Sequence, residues 1–150
     1  MSLRSILSSA RIAVLDEAND SDALLDTLAG LLCDDGPTGL EAVAASLRAR
    51  ERMGSTAIGH GVALPHGRND AFDDARAAFV RLRRPLPFGA MDGGDVDLFL
   101  ALSVPAHFTH QHLQLLAEIA ERFADAGFRE RLRAAPDAAG LHALLAGDAP

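Results

Sequence analysis

The run Val96-Asp-Leu-Phe-Leu-Ala-Leu-Ser-Val104 constrains the fold more than any other part of the sequence. It is almost continuously apolar, whereas a strand with one face in water alternates apolar and polar side chains. Such a run is typical of a central strand that is covered on both faces. Pro105 ends it. The sequence therefore predicts a sheet with helices packed against both of its sides.

Helical and extended patterns alternate along the rest of the chain. Leucines at helical spacing predict a helix between residues 22 and 33, and a capping box at residues 38–41 begins a second one. A long helix is predicted for residues 109–126, with Thr109 as its N-cap and Leu113 among its inward-facing side chains. The remaining predicted elements are strands at 11–15 and 77–82 and two short helices at 129–134 and 137–145.

These elements predict the α/β class and one domain. The chain has 150 residues, a length that fits a single domain spanning residues 1–150, and it shows no internal repeat and no long linker. We expect about the first five residues to be flexible.

Composition excludes several functions. The net charge is −7, lysine is absent and the arginines are dispersed, so a nucleic-acid surface is not expected. Arg81 and Arg83 are interpreted as a solvated strand edge. No apolar run is long enough to cross a membrane, and no signal peptide is recognisable. Cys33 is the single cysteine, which indicates a reducing compartment and predicts a cytoplasmic protein.

A glycine-rich stretch, residues 54–68, contains the main candidate for chemistry. His66 lies between Pro65 and Gly67, and Arg50 and Arg68 bracket the stretch. A neutral imidazole can attack phosphorus without a base, and arginine pairs with phosphate oxygens. His66 is therefore a candidate phosphoryl acceptor. Arg50 has an alternative interpretation, a charge that stabilises a helix C-terminus.

The sequence gives weaker support for other kinds of site. Gly54-Ser-Thr56 is not a nucleotide-binding P-loop because the motif's lysine is missing, and no serine-hydrolase elbow is present. His107, His110 and His112, with His60, invite a zinc hypothesis, but they lack a specific metal-binding pattern. His112 alone lies in a predicted first helical turn, where a neutral imidazole could donate a hydrogen bond to an anion or simply be a surface residue.

Two segments carry a family resemblance. Arg50-Glu-Arg-Met-Gly-Ser-Thr-Ala-Ile-Gly-His-Gly-Val-Ala-Leu-Pro-His-Gly67 resembles the active-site signature of the fructose/mannitol-type IIA components of the bacterial phosphotransferase system. The segment from Val96 to Ala106, followed by His112-Leu-Gln-Leu-Leu116, is similar to the family's second signature. Within the family, the sequence of these segments is most similar to that of nitrogen-regulatory IIA proteins.

The resemblance implies a mixed sheet between helical layers and a phosphotransferase component that works through a phosphohistidine. It implies that His66 takes a phosphoryl group on Nε2 and that Arg50 and His112 flank that group. Amides or hydroxyls of the loop could support it, from Gly54, Ser55, Thr56 and Gly67. No metal and no nucleotide cofactor is implied. An apolar docking rim is expected, with Val62, Leu64, Met91 and Phe108 as candidates or as core residues.

The resemblance also implies partners. The donor would be an HPr-like phosphocarrier, and the targets would be regulatory, such as potassium transporters or sensor kinases, with no nucleic acid and no membrane insertion. Two alternatives stay open: sugar transfer through a IIB domain to fructose or mannitol, and a module that binds anions without transferring a phosphoryl group. His60, His107 and His110 depart from the family pattern, and their roles are not assigned.

Overall fold

The computed structural model describes residues 2–147, which form six α-helices and six β-strands. In chain order these are α1 (Leu3–Ile6), β1 (Ile12–Leu15), α2 (Ser21–Leu32), α3 (Leu40–Arg52), β2 (Ala57–Gly59), β3 (Val62–Ala63), β4 (His66–Arg68), β5 (Arg76–Leu86), β6 (Val96–Val104), α4 (His110–Phe123), α5 (Ala126–Ala134) and α6 (Ala138–Ala146). None of the helices in this part of the chain is both long and apolar enough to cross a membrane.

The strands form one mixed sheet in the order β1-β5-β6-β3-β2, and β4 pairs with β6 beyond this path. β5 runs antiparallel to β6, whereas β3 and β4 run parallel to it. The predicted α/β class and the mixed sheet between helical layers are confirmed.

β6 is the centre of the molecule, as the apolar run predicted. Its side chains alternate between two hydrophobic cores: Leu98, Leu100 and Leu102 face one, while Phe99 and Ala101 face the other. The first core also contains side chains of α1, α4, α5 and α6, and the second contains those of α2 and α3. Both faces of the strand are therefore removed from water, which explains why it tolerates almost no polar residue.

Some local predictions were wrong. Helix α3 begins after Gly39, whose φ is 84°, and no side chain caps it, so the capping box at 38–41 does not form. The long helix ends at Phe123 instead of residue 126, because Asp125 starts a new helix by accepting a hydrogen bond from the Phe128 amide at 2.9 Å. Residues 3–6, which overlap the segment expected to be flexible, form α1, and the flexibility itself stays a prediction.

Arg81 is also placed differently from the prediction. It is half-buried, and its Nη1 donates to the carbonyl oxygens of Leu132 and Ala135, both at 2.7 Å. These carbonyls lie at the C-terminal end of α5, where helical peptide groups lack partners. Arg83 is exposed, as expected. Arg81 thus ties a helix to the sheet instead of forming a solvated edge.

Candidate functional site

His66 is held by the central strand. It begins β4, which pairs parallel to β6 with His66 opposite Leu102. The preceding carbonyl, of Pro65, accepts a hydrogen bond from the Leu102 amide at 2.9 Å. The glycine-rich stretch is therefore not one loop, since it contains β2, β3 and β4. Pairing with a fully buried strand fixes the backbone under His66.

The ring of His66 is held in one tautomer. Its Nδ1 lies 2.8 Å from the carbonyl oxygen of Leu64. A carbonyl only accepts, so Nδ1 carries the proton and Nε2 keeps a lone pair. The pKa of His66 is lowered, chiefly because the ring is buried. The hydrogen bond to Leu64 acts in the opposite direction and raises the pKa, whereas the charge of Arg50 lowers it further. The imidazole is therefore neutral at pH 7, with Nε2 able to act as a nucleophile.

Gly67 allows helix α3 to approach β4 closely. A Cβ built on Gly67 would lie 2.5 Å from Ser46 Oγ and 2.9 Å from the Ser46 carbonyl carbon. The neighbour that needs this space is a helix of the same chain. Asn69 adds to this contact, since its Nδ2 donates to Ser46 Oγ at 3.2 Å and to Ser103 Oγ at 2.9 Å. The close approach of α3 brings its last turn to His66.

Arg50 lies in that last turn of α3. Its Nη1 donates to the Gly54 carbonyl oxygen at 2.8 Å, one turn further along the chain. This hydrogen bond uses one of the five N–H donors of the guanidinium group. Both sequence interpretations of Arg50 therefore agree with its position, because it stabilises the end of α3 and also lines the cavity of His66.

His112 belongs to the buried face of α4. It is 7% exposed, and its ring lies 5.2 Å from the ring of His66, measured between centroids. Burial, followed by the neighbouring His66 and the charge of Arg68, lowers the pKa of His112 to about 4. Within residues 2–147, its buried Nδ1 has no hydrogen-bond partner. A proton on Nδ1 would leave a buried N–H donor unpaired, which favours the neutral tautomer with its proton on Nε2.

These side chains line one open cavity of ≈ 710 Å³. Its polar residues include Arg50, His66, Arg68, Thr109 and His112, and Met53 and Leu113 form an apolar border. Met53 is 83% exposed and Leu113 is 62% exposed. The prediction that Leu113 faces inward was therefore wrong.

The four residues that the sequence offered for an apolar docking rim do not border the cavity. Val62 and Leu64 are buried in the core, Phe108 packs partly against it, and Met91 is fully exposed on the loop before β6. None of these four lines the cavity, whose apolar border comes from other residues.

Arg68 is a cavity residue that the sequence interpretation noted at the end of the glycine-rich stretch but to which it gave no role. It lies two residues after His66 on β4, and alternate residues of a strand share a face. The two-residue spacing of His66 and Arg68 is visible in the sequence. It indicates a shared face only once residues 66–68 are known to form a strand.

The Gly-Ser-Thr segment does not reach this cavity. Ser55 Oγ donates to the Phe88 carbonyl oxygen at 2.5 Å, and Ala57 N donates to Ser55 Oγ at 3.1 Å. Thr56 is buried, and both its amide and its hydroxyl donate to the carboxylate of Glu51. Of the four predicted phosphate-loop residues, only Gly67 lines the cavity, and Gly54 contributes through the carbonyl that holds Arg50. The expected support from the Ser55 and Thr56 hydroxyls is corrected accordingly.

The remaining histidines do not assemble into a metal centre. His107 and His110 are exposed, and His60 is exposed in the turn between β2 and β3, where its amide donates to Asp92 Oδ2 at 3.1 Å. Across residues 2–147 no group of three or more histidine, cysteine, aspartate or glutamate side chains is placed to hold a metal ion.

Comparison with known proteins agrees with this fold. Residues 5–147 match the family model of the phosphoenolpyruvate-dependent sugar phosphotransferase system, EIIA 2. The chain therefore belongs to this EIIA family, and the resemblance seen in the sequence is confirmed.

Its relatives include nitrogen regulatory proteins. The chain is 35% identical to that of Pseudomonas aeruginosa, over 95% of this chain and 94% of the relative. It is 46% identical to that of Escherichia coli over 64% of this chain and 60% of the relative. The crystal structure of the nitrogen regulatory protein IIA-Ntr from Neisseria meningitidis superposes with a TM-score of 0.87 and 36% identity, over 95% of this chain and 98% of that one. These matches support the nitrogen-regulatory interpretation, and the sugar-transfer alternative is not better supported.

Proposed function

We propose that this protein is a phosphoryl-accepting regulatory IIA protein. His66 takes a phosphoryl group from a phosphohistidine on an HPr-like carrier, and the phosphorylation state then determines which target proteins are bound. The observation that carries the proposal is the Nδ1–H···O=C hydrogen bond to Leu64, which leaves the Nε2 lone pair of a neutral imidazole available in a cavity with arginines.

The chemistry balances between two imidazoles. The Nε2 lone pair forms a new P–N bond as the donor's P–N bond breaks and its electron pair returns to the donor ring. No base is needed, because Nε2 carries no proton. Phosphorylation makes the ring of His66 more cationic, and the Leu64 carbonyl already accepts from its Nδ1–H.

The surroundings suit a dianionic group. Arg50 supplies positive charge from the end of α3, and His112 can donate from Nε2 as a neutral ring at the start of α4. Phosphoryl transfer depends chiefly on such positioning and charge neutralisation. The exposed Met53 and Leu113 provide an apolar border on which a carrier can dock.

The regulatory role follows from the charge change. Phosphorylation adds about −1.5 to −2 charges at one point of the surface, which is enough to make or break a contact with a partner. The targets we propose are potassium transporters or sensor kinases, and a IIB domain is the alternative acceptor. Transfer of the label from this protein to a IIB domain and on to fructose or mannitol would favour that alternative.

Labelling tests the phosphoryl acceptor. Incubation with phosphoenolpyruvate, enzyme I and an HPr-like carrier should label the wild-type protein with an acid-labile phosphate, whereas His66→Ala should remain unlabelled. His142→Ala is the matched control, because it removes a histidine from α6, and it should label like wild type. Equal labelling of wild type and His66→Ala would refute the assignment.

A further inference from the structure

Arg68 lies beside His66 on the same strand. The two residues are separated by Gly67 on β4, and both line the cavity together with Thr109 and His112. Because β4 is paired with β6 from His66 to Arg68, the relative placement of the two side chains is set by the sheet.

The guanidinium of Arg68 keeps most of its donors free. Its Nη1 donates to Thr109 Oγ1 at 3.3 Å, and no carboxylate of residues 2–147 lies within ion-pair distance of it. By contrast, Arg76 and Arg133 each hold an aspartate with two nitrogen atoms, Asp35 and Asp97 respectively. A single long hydrogen bond to a hydroxyl neither neutralises Arg68 nor occupies its donor fork.

The two cavity arginines act on different imidazoles. The charge of Arg50 is felt at His66, and that of Arg68 is felt at His112, which packs against His66. Two cations that come from different elements, α3 and β4, therefore line the same cavity as the pair of imidazoles. A dianionic group on His66 has two such cations to bind.

We propose that Arg68 is a second phosphoryl-binding arginine, whose guanidinium donates to a phosphoryl oxygen once His66 is phosphorylated. The hydroxyl of Thr109 holds the side chain at the cavity before that. This inference rests on the proposed function, since it needs His66 to carry the phosphoryl group. It differs from a role in docking, in which Arg68 would contact the carrier protein and not the phosphoryl group.

The equilibrium constant for transfer separates these two roles. It compares the free carrier and the free IIA protein in their two phosphorylation states, so the affinity of the transient complex cancels. A residue that only docks the carrier changes forward and reverse rates equally, whereas a residue that binds the phosphoryl group shifts the equilibrium.

The experiment mixes labelled phosphocarrier with wild-type protein, Arg68→Gln, Arg68→Lys or Arg84→Gln and measures the label on both proteins at equilibrium. Arg68→Gln should shift the equilibrium about tenfold toward the carrier, the worth of one charge-assisted hydrogen bond. Arg68→Lys keeps the charge and should shift it about two- to threefold. Arg84→Gln, an exposed arginine on β5 that pairs with Glu17, should behave like wild type.

Each outcome bears on the proposal. An unchanged equilibrium with equally slowed forward and reverse rates would make Arg68 a docking residue and overturn it. If Arg68→Gln does not fold, as judged by thermal unfolding, Arg68→Lys decides, and an unshifted equilibrium for that variant overturns it. If wild type itself is not labelled, the proposed function fails first, and this inference falls with it.

Discussion

Two groups of arginines in this protein differ in how many hydrogen bonds their guanidinium groups make, two or more in the first group and one in the second. In the first group the guanidinium donates to carbonyls at or just beyond a helix C-terminus. These arginines and their helices are Arg11 on α1, Arg76 on α2, Arg129 on α4, Arg81 on α5 and Arg122 on α6. The unpaired carbonyls and the negative end of the helix dipole favour a cation with several donors there.

The second group lies at the cavity. Arg68 has only a long hydrogen bond to a hydroxyl, and Arg50 gives one hydrogen bond to the Gly54 carbonyl and pairs with no carboxylate of residues 2–147. The same side chain is structural where several hydrogen bonds use its donors, and it is available for a ligand where one hydrogen bond leaves most of its donors unused. Substitution in the first group should therefore cost stability, and substitution at the cavity should cost transfer.

Arg50→Ala should show the largest effect. Loss of this cation from the cavity of His66 should lower the rate constant of phosphoryl transfer by about 100-fold or more. The free energy of unfolding should fall by only about 0.5–1 kcal/mol, since one hydrogen bond at the end of α3 is lost.

Rapid-quench labelling and urea denaturation measure these two quantities. Arg52→Ala is the matched control, because Arg52 is exposed in the same helical turn and does not line the cavity. A loss of folding that accounts for the slow transfer of Arg50→Ala would move Arg50 into the structural group.

Arg81→Met should show the opposite pattern. Removal of the guanidinium leaves the Leu132 and Ala135 carbonyls without this partner, which should lower the free energy of unfolding by about 2–3 kcal/mol. Transfer at 25 °C should stay within about twofold of wild type. Arg83→Met changes an exposed arginine of the same strand and should cost less than about 0.5 kcal/mol. Equal losses for the two variants would contradict the comparison.

The burial of His112, together with the neighbouring His66 and Arg68, also predicts a pH dependence of stability. Its pKa is about 4 in the folded protein and about 6.5 in the unfolded chain, so the unfolded state binds more protons between these values. Stability is therefore lost as the pH falls. Between pH 7 and pH 5, His112 should contribute a loss of about 1 to 2 kcal/mol.

Urea denaturation at the two pH values checks this. His112→Asn removes the titrating ring. Between pH 7 and pH 5, the free energy of unfolding of this variant should therefore fall by about 1 to 2 kcal/mol less than that of wild type. Equal pH dependence in both proteins would mean that His112 is not held neutral. Arg68→Gln should remove part of the difference, because the charge of Arg68 is one of the causes that lower the pKa.

The sequence predicted the layered fold because its strongest signals are local and repeated. The apolar run of β6 and the leucine spacing of α2 both follow from burial, and both elements form where expected. The helix start at Gly39, the continuation of β5 past Pro85 and the contact of Arg81 with α5 were missed. The contact of Arg81 depends on distant partners, the carbonyls more than 50 residues later, which no local pattern in the sequence indicates.

The candidate site was predicted by different means. His66, Arg50 and His112 were brought together by family resemblance, since nothing in their spacing places residues 66 and 112 side by side. The structure does so through β4 and the buried face of α4. Arg68 was noted but given no role, and Ser55 and Thr56 were assigned to the phosphoryl site, because the glycine-rich stretch was treated as one loop around one ligand. It is divided by strand pairing into a part that faces the cavity and a part that packs against Glu51 and Phe88.

Ser55→Ala gives the smallest expected effect and tests that division. The serine hydroxyl donates to Phe88 O and accepts from Ala57 N, so its loss should lower the free energy of unfolding by about 1 kcal/mol. Transfer to His66 should stay within about twofold of wild type, because Ser55 does not line the cavity. Urea denaturation and labelling kinetics measure both quantities. A tenfold slower transfer with unchanged stability would contradict this division of the stretch. It would mean that the Ser55 hydroxyl contacts the phosphoryl group, and that the first half of the stretch moves toward His66 during the reaction.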